Sequence, residues 1–271
     1  MSQSSETLVP VAPKPHPRGL SGAAALVPCR PPGQARERSR PAAEGGEVPW
    51  SLPEEVWDSL EPSGFYARRL RTPLLTLIAA GMAVAALPLF VLILAVNALL
   101  HGGLSRAFFL QERVGFRGRV FRVVKFRTMR DGDGDDGARV TRFGRFLRNC
   151  HLDELPQLIH VLRGEMSLIG PRPEMVSIES WAVRHVPGFN RRLALRPGIT
   201  GWAQITQGYA RAGNEAAYRE KSRRNEDYLE HVSFLGDLGI LVRTGLWMLR
   251  RRGWRWQDQA RACSELSKSA R

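Results

Sequence analysis

Cysteine is scarce in this 271-residue chain: Cys29, Cys150 and Cys263 are far apart, odd in number and free of any Cys-x-x-Cys spacing. That excludes a disulfide framework and a cysteine-built zinc centre, and points to a reduced, cytoplasm-facing catalytic part. Residues 1–62 lack any sustained apolar periodicity and are rich in Pro, Ala, Gly, Ser and Arg. They are expected to be disordered, because they bury too little apolar surface to offset the entropy of ordering. One short exception is Ser51-Leu-Pro-Glu-Glu, a helix start with proline in the first turn, which opens a helix towards Leu60. The apolar run is not expected to be a secretory signal, since it begins too far from Met1 and continues too long.

Formal charge is absent from Thr72 to Leu100, whereas arginine punctuates the rest of the chain. As one helix this run would measure ~43 Å, against a hydrocarbon thickness of ~30 Å. Pro88 lies inside it, where an interior proline removes a backbone hydrogen bond and clashes with the preceding turn. The expected kink leaves arms of ~24 Å and ~18 Å, each short of a full crossing. Arg68, Arg69 and Arg71 precede the run and Arg106, Arg113, Arg117 and Arg119 follow it, so positive charge marks the cytoplasmic side at both ends. A re-entrant membrane helix over residues 63–105, kinked at Pro88, satisfies these lengths and flanks. A tilted single-pass anchor is the other arrangement.

Net charge is +14, and because residues 1–62 hold 6 Lys+Arg against 8 Asp+Glu, residues 63–271 carry +16. A surface so basic attracts nucleic acid, acidic lipid head groups or phosphorylated substrates. Composition does not choose among them.

Arg119-Val-Phe-Arg-Val-Val-Lys-Phe-Arg alternates partly between basic and apolar residues and predicts a strand. The loop from Asp131 fails as a calcium site, having Asp136 where glycine is needed and Arg142 at the twelfth position. Residues 143–162 read as helical with an interruption near Asp153 and a stop at Gly164, and Glu215–Glu230 reads as a charged helix. Leu235–Leu249, with Arg243 inside and Arg250, Arg251 and Arg252 behind, suits a helix lying in the membrane interface or one packed in the core. The fold class is therefore mainly α with a few short strands (α+β): a membrane helix and a small cytoplasmic domain with interfacial amphipathic helices.

Two adjacent carboxylates, Asp153 and Glu154, stand before Pro156 and an apolar helical stretch. They can serve as ordinary helix-start residues, steadied by free amides and the helix dipole. The same amides also steady a phosphate beside a carboxylate nucleophile, with Arg142, Arg145, Arg148, Arg163 and Arg172 near in sequence to offset the repulsion. Pro171-Arg172-Pro173 holds an arginine between two residues of locked backbone torsion, which suits a phosphate ligand or a rigid surface turn.

Six segments follow one another in order: Phe108-Phe-Leu-Gln-Glu-Arg-Val-Gly, Lys125-Phe-Arg-Thr-Met, Arg139-Val-Thr-Arg-Phe-Gly-Arg-Phe-Leu-Arg, Leu152-Asp-Glu-Leu-Pro-Gln-Leu, Met166-Ser-Leu-Ile-Gly-Pro-Arg-Pro and Arg196-Pro-Gly-Ile-Thr-Gly-Trp-Ala-Gln. Together they resemble the bacterial sugar transferase family, the monotopic polyprenol-phosphate phosphoglycosyl transferases, over roughly residues 69–244. The resemblance implies a proline-kinked re-entrant helix, a catalytic Asp153–Glu154 pair, and a cytoplasmic catalytic domain over residues 106–252 followed by a tail, 253–271. By the same resemblance Asp153 attacks the sugar-bearing phosphate of a UDP-sugar, nucleoside monophosphate leaves, and polyprenyl phosphate takes the phosphosugar, as the first membrane step of exopolysaccharide, O-antigen or capsule synthesis.

Magnesium, held through Asp153 and Glu154, is the implied cofactor. Lys125, Arg127, Arg148, Pro171, Arg172 and Pro173 match positions that hold the donor's phosphates and nucleotide. The implied partners are the donor, the polyprenyl phosphate and the bilayer of a bacterial inner membrane, with no nucleic acid. The family's Ser-Pro kink is Leu87-Pro88 here, its early membrane-helix Asp is replaced near Leu75, and Thr206-Gln-Gly-Tyr-Ala-Arg stands where Gly-Arg is common. A membrane-tethered nucleic-acid binder and an inert assembly scaffold are the alternatives from other classes.

Overall fold

The computed structural model describes residues 48–132, 136–208 and 213–249. The expectations for residues 1–47 of the leader, for the centre of the acidic loop, for residues 209–212 and for the tail lie outside them. In chain order the elements are α1 (Glu54–Leu60), α2 (Arg71–His101), β1 (Phe108–Val114), β2 (Val120–Phe126), α3 (Asp136–Arg139), α4 (Arg142–Asn149), α5 (Leu158–Leu162), β3 (Ser167–Ile169), β4 (Glu174–Met175), α6 (Val176–His185), β5 (Gly198–Thr200), α7 (Trp202–Gln207), α8 (Glu215–Glu230) and α9 (Phe234–Leu249). A π-helical turn, Tyr66–Leu70, leads into α2, and a 3-10 segment, Leu152–Gln157, runs into α5. The chain is mostly helical, with few strands.

β1 and β2 form an antiparallel hairpin, from Phe108 opposite Phe126 to Val114 opposite Val120, and β4 adds to the free edge of β1. The parallel pair β3–β5 aligns Ser167 with Gly198 and Ile169 with Thr200. Glycine is required where the β3 exit meets the β5 loop: a Cβ on Gly198 would lie 2.1 Å from the Gly170 amide nitrogen, and one on Gly201 2.1 Å from the Gly170 carbonyl. The Gly170-Pro-Arg-Pro and Arg196-Pro-Gly-Ile-Thr-Gly motifs are thus the two halves of one backbone contact.

The membrane candidate is Tyr66–His101, whose mean hydropathy reaches 2.7. It is helical on both sides of Pro88. Its first turns bury Leu75 and Ala79 in the main core, with Trp57, Val161, Met166, Ile169 and Ile240. Its last turns bury Ile93 against Phe126 and Leu147, where the Phe90 and Phe126 rings lie 5.1 Å apart. Asn97 then donates to the carbonyls of Ala107 (2.8 Å) and Arg127 (3.0 Å), tying the helix to the start of β1 and the end of β2. From Gly81 to Leu92 no residue is buried, and Val84, Leu87, Val91 and Leu92 are all exposed. Both ends of α2 therefore belong to the same folded body, and the stretch between them is the part without a buried residue.

Two expectations change. The helix expected from Ser51 towards Leu60 is present as α1, and order extends beyond it over residues 48–62 of the leader: Trp57 is 1% exposed, Trp50 Nε1 donates to the Gly118 carbonyl at 3.1 Å, and Glu54, Asp58 and Glu61 converge on Arg117. Two tryptophans give this short stretch enough apolar area, at roughly 25 cal/mol per Å2, to offset its ordering. Arg71, counted among the flanking charges that mark the cytoplasmic side, is buried and paired with Asp237 at 2.9 Å. α9 packs in the core through Asp237 and Ile240, while Leu235, Leu238, Val242 and Leu246 are exposed.

Candidate active site

His151 precedes the 3-10 segment with left-handed backbone torsions, φ 56° and ψ 20°. The next turn presents Asp153 and Glu154 towards β2 and the β3–β4 loop. Glu154 does not cap a helix. It accepts from Lys125 Nζ (2.5 Å) and Arg172 Nη2 (2.7 Å), with Arg172 Nη1 at 3.4 Å. Although burial pushes the Glu154 carboxyl up, the Arg172 and Lys125 charges more than offset it and hold the group well below the usual range. Burial also lowers Lys125.

Asp153 is treated differently. Among the described residues its carboxylate makes no hydrogen bond or ion pair, and burial, reinforced by the neighbouring Glu154 charge, raises it above its ordinary 3.8. Lys125, Arg148 and Arg172 pull the other way. The pair is thus divided: Glu154 is a fixed anion clamped by two cations, and Asp153 is a half-buried carboxylate without a hydrogen bond or ion pair among the described residues. A nucleophile needs that second condition.

The cations are themselves positioned. Arg148 Nε donates to Thr128 Oγ1 at 2.8 Å, which fixes α4 against the strand leading from Lys125. The Pro171–Pro173 turn is held through its carbonyls, Arg172 O by Arg192 Nη1 (3.2 Å) and Pro173 O by Arg113 Nη1 (3.1 Å). Lys221 pairs with Glu174 and Arg192 with Glu179, all four buried. Against the burial that raises it, Glu174 is brought to about 2 by Lys221 and Arg192. Glu179 shows the opposite balance, with burial outweighing Arg192 and pushing it up to about 7.

The expected residues Lys125, Arg148, Asp153, Glu154 and Arg172 with its two prolines come together here. Arg127 does not join them: its guanidinium goes to the Arg106 carbonyl (2.8 Å), Asp131 (2.6 Å) and the Phe108 carbonyl (3.4 Å). Arg113, Arg192, Lys221 and Thr128 were not singled out as site residues. Arg113 and Thr128 lie within quoted motifs, but nothing local marks Arg192 or Lys221. Among the described residues no group of three or more His, Cys, Asp or Glu side chains converges. Magnesium commonly takes one or two carboxylates and completes its shell with substrate phosphates and water. The unengaged Asp153 carboxylate and Glu154 Oε2, whose one contact is the long one to Arg172, fit that donor set.

The sequence profile for bacterial sugar transferases matches residues 67–251. The chain belongs to the bacterial sugar transferase family. One relative is the UDP-N-acetylgalactosamine-undecaprenyl-phosphate N-acetylgalactosaminephosphotransferase of Aeromonas hydrophila, 39% identical over 65% of this chain and 44% of that protein. Another is the UDP-glucose:undecaprenyl-phosphate glucose-1-phosphate transferase of Caulobacter vibrioides, 38% identical over 69% of this chain and 73% of its own length. A third, the exopolysaccharide production protein ExoY of Rhizobium meliloti, is 32% identical over 75% of this chain and 94% of its own. The alignment thus spans under half of the Aeromonas protein but nearly all of ExoY. The matched residues 67–251 take in the Asp153–Glu154 pair and all but the first residue of the membrane candidate.

Proposed function

We propose that this enzyme transfers a sugar 1-phosphate from a UDP-sugar to undecaprenyl phosphate at the cytoplasmic face of a bacterial inner membrane, initiating an exopolysaccharide. The observation that carries this reading is the division of the carboxylate pair: Glu154 clamped by Lys125 and Arg172, Asp153 unengaged beside them. Asp153 attacks the phosphorus that bears the sugar, and the bond from that phosphorus to the bridging oxygen breaks. UMP departs with that oxygen, and the sugar phosphate is left esterified to the carboxylate. An oxygen of the lipid phosphate then attacks the same phosphorus, the aspartyl bond breaks, and Asp153 returns as a carboxylate with polyprenyl diphosphosugar as product.

Arg172 and Lys125 hold anionic oxygens during both displacements, in a site buried enough to strengthen each ion pair. Asp153 and Glu154 would hold magnesium together with the substrate phosphates, and the ion's chemistry there is to neutralise diphosphate charge. Membrane preparations are expected to turn over a UDP-hexose or UDP-N-acetylhexosamine, releasing UMP continuously only when polyprenyl phosphate and magnesium are both supplied. Continuous release without the lipid would defeat the reading.

The membrane helix is re-entrant in this proposal. Support comes from α2 packing at both ends on one folded body, since a spanning helix would drag one of those packed ends to the far side. Ser63 and Ser105, both exposed, bracket the segment. In a cysteine-free background, Ser63→Cys and Ser105→Cys should both react with an impermeant thiol reagent in inverted vesicles and neither in right-side-out ones. Opposite labelling of the two positions would establish a span instead.

A further inference from the structure

We propose that His151 donates a hydrogen bond from Nε2 to the phosphate of the lipid acceptor, making it a specificity residue for the second displacement; this rests on the transferase reading above. His151 is one of two non-glycine residues with positive φ among those described, a conformation that a residue with a full side chain keeps only where its surroundings dictate it. Its imidazole packs on Trp247 of α9, whose ring lies 4.7 Å away at 33°. The ring's Nε2 is buried and has no hydrogen-bond partner. Burying a donor without a partner is unfavourable, and at the edge of a phosphate site it is what a ligand oxygen would relieve.

Its carbonyl accepts from the Glu154 amide at 3.3 Å, so the residue opens the turn that carries the pair, two positions before Asp153. It therefore stands beside the reacting centre, on the side closed by α9. That helix exposes Leu235, Leu238, Val242 and Leu246, the residue types that enter the lipid interface. Of the two phosphate-bearing substrates, the one anchored in lipid approaches from this side. With its proton on Nε2, the ring offers one donor to an anionic oxygen.

The test uses the full-length enzyme in bilayer nanodiscs. His151→Phe keeps a ring against Trp247 and removes the nitrogen, whereas His151→Gln places an amide N–H near the Nε2 position. The Phe variant is expected to raise KM for polyprenyl phosphate about tenfold or more, the worth of one hydrogen bond to a charged group. Its KM for the UDP-sugar and its single-turnover UMP burst with donor alone should stay at wild-type values, and the Gln variant should recover most of the acceptor KM. If Phe does not fold, His151→Asn, which accepts left-handed torsions but carries its amide near the Nδ1 position, is expected to show the same acceptor defect. An unchanged acceptor KM in the variant that folds, or an equal change in donor KM or burst, overturns the assignment. A wild-type enzyme that forms no lipid-linked product overturns the transferase reading and this assignment with it, a result recognisable because it precedes any substitution.

Discussion

Asp153→Asn is expected to lower turnover by at least about a thousandfold, the scale on which removing a covalent nucleophile acts. Wild-type enzyme quenched with donor alone should carry a sugar-phosphate mass adduct at residue 153, and the Asn variant none. The fold should not suffer. Burial and Glu154 raise the Asp153 pKa, so the charged form is disfavoured in the folded state at neutral pH and a neutral amide of the same shape relieves that cost. Lost activity with an unchanged or higher melting temperature therefore separates chemistry from unfolding.

The same shift sets the pH dependence. The nucleophile must be ionised, so the acid limb of kcat/KM should lie above the ordinary aspartate value of 3.8. An adduct on Glu154, or an Asn variant at wild-type rate, would reverse the roles given to the pair.

The largest expected effect on stability belongs to Asp237→Asn. Arg71 lies 5% exposed at the base of α2, donating to Asp237 (2.9 Å), the Ile169 carbonyl (2.7 Å) and Tyr228 OH (2.8 Å). Asp237 also accepts from Tyr66 (2.8 Å) and Tyr228 (2.5 Å). Removing the carboxylate leaves a buried guanidinium uncompensated, at about 3–5 kcal/mol, and loosens the joint between α2, α8, α9 and β3. The double variant Arg71→Met with Asp237→Asn should recover part of that loss, because neither charge is then stranded. Thermal unfolding in one detergent checks both. A single variant within ~0.5 kcal/mol of wild type, the range of ordinary surface changes, would show that the pair does not hold the joint.

α8 begins and ends where its charged pattern says, at Glu215 and Glu230, and β2 covers the alternating stretch around Lys125. These signals are local: propensity and periodicity act over a turn or a strand. The Asp153–Glu154 pair was equally legible, because a short motif carries its own chemistry. Which carboxylate is the free one was not, since that depends on Lys125 and Arg172, which lie 29 and 18 residues from Glu154. Arg127 looked equivalent to Lys125 from its motif, and its use on the Arg106 carbonyl and Asp131 follows from where β2 ends.

By itself the sequence determined that one long stretch is uncharged and apolar, that a basic body follows it, and that an aspartate–glutamate pair stands at a helix start, since each depends on residue type and near spacing alone. Only the tertiary structure decided that both ends of the apolar helix rest on one body, that Arg71 is buried against Asp237, and that residues 48–62 close the core with Trp57. The physical reason is that burial and ion pairing are settled between side chains as many as 166 positions apart, as Arg71 and Asp237 are. No local pattern encodes which distant partner a charged side chain will meet.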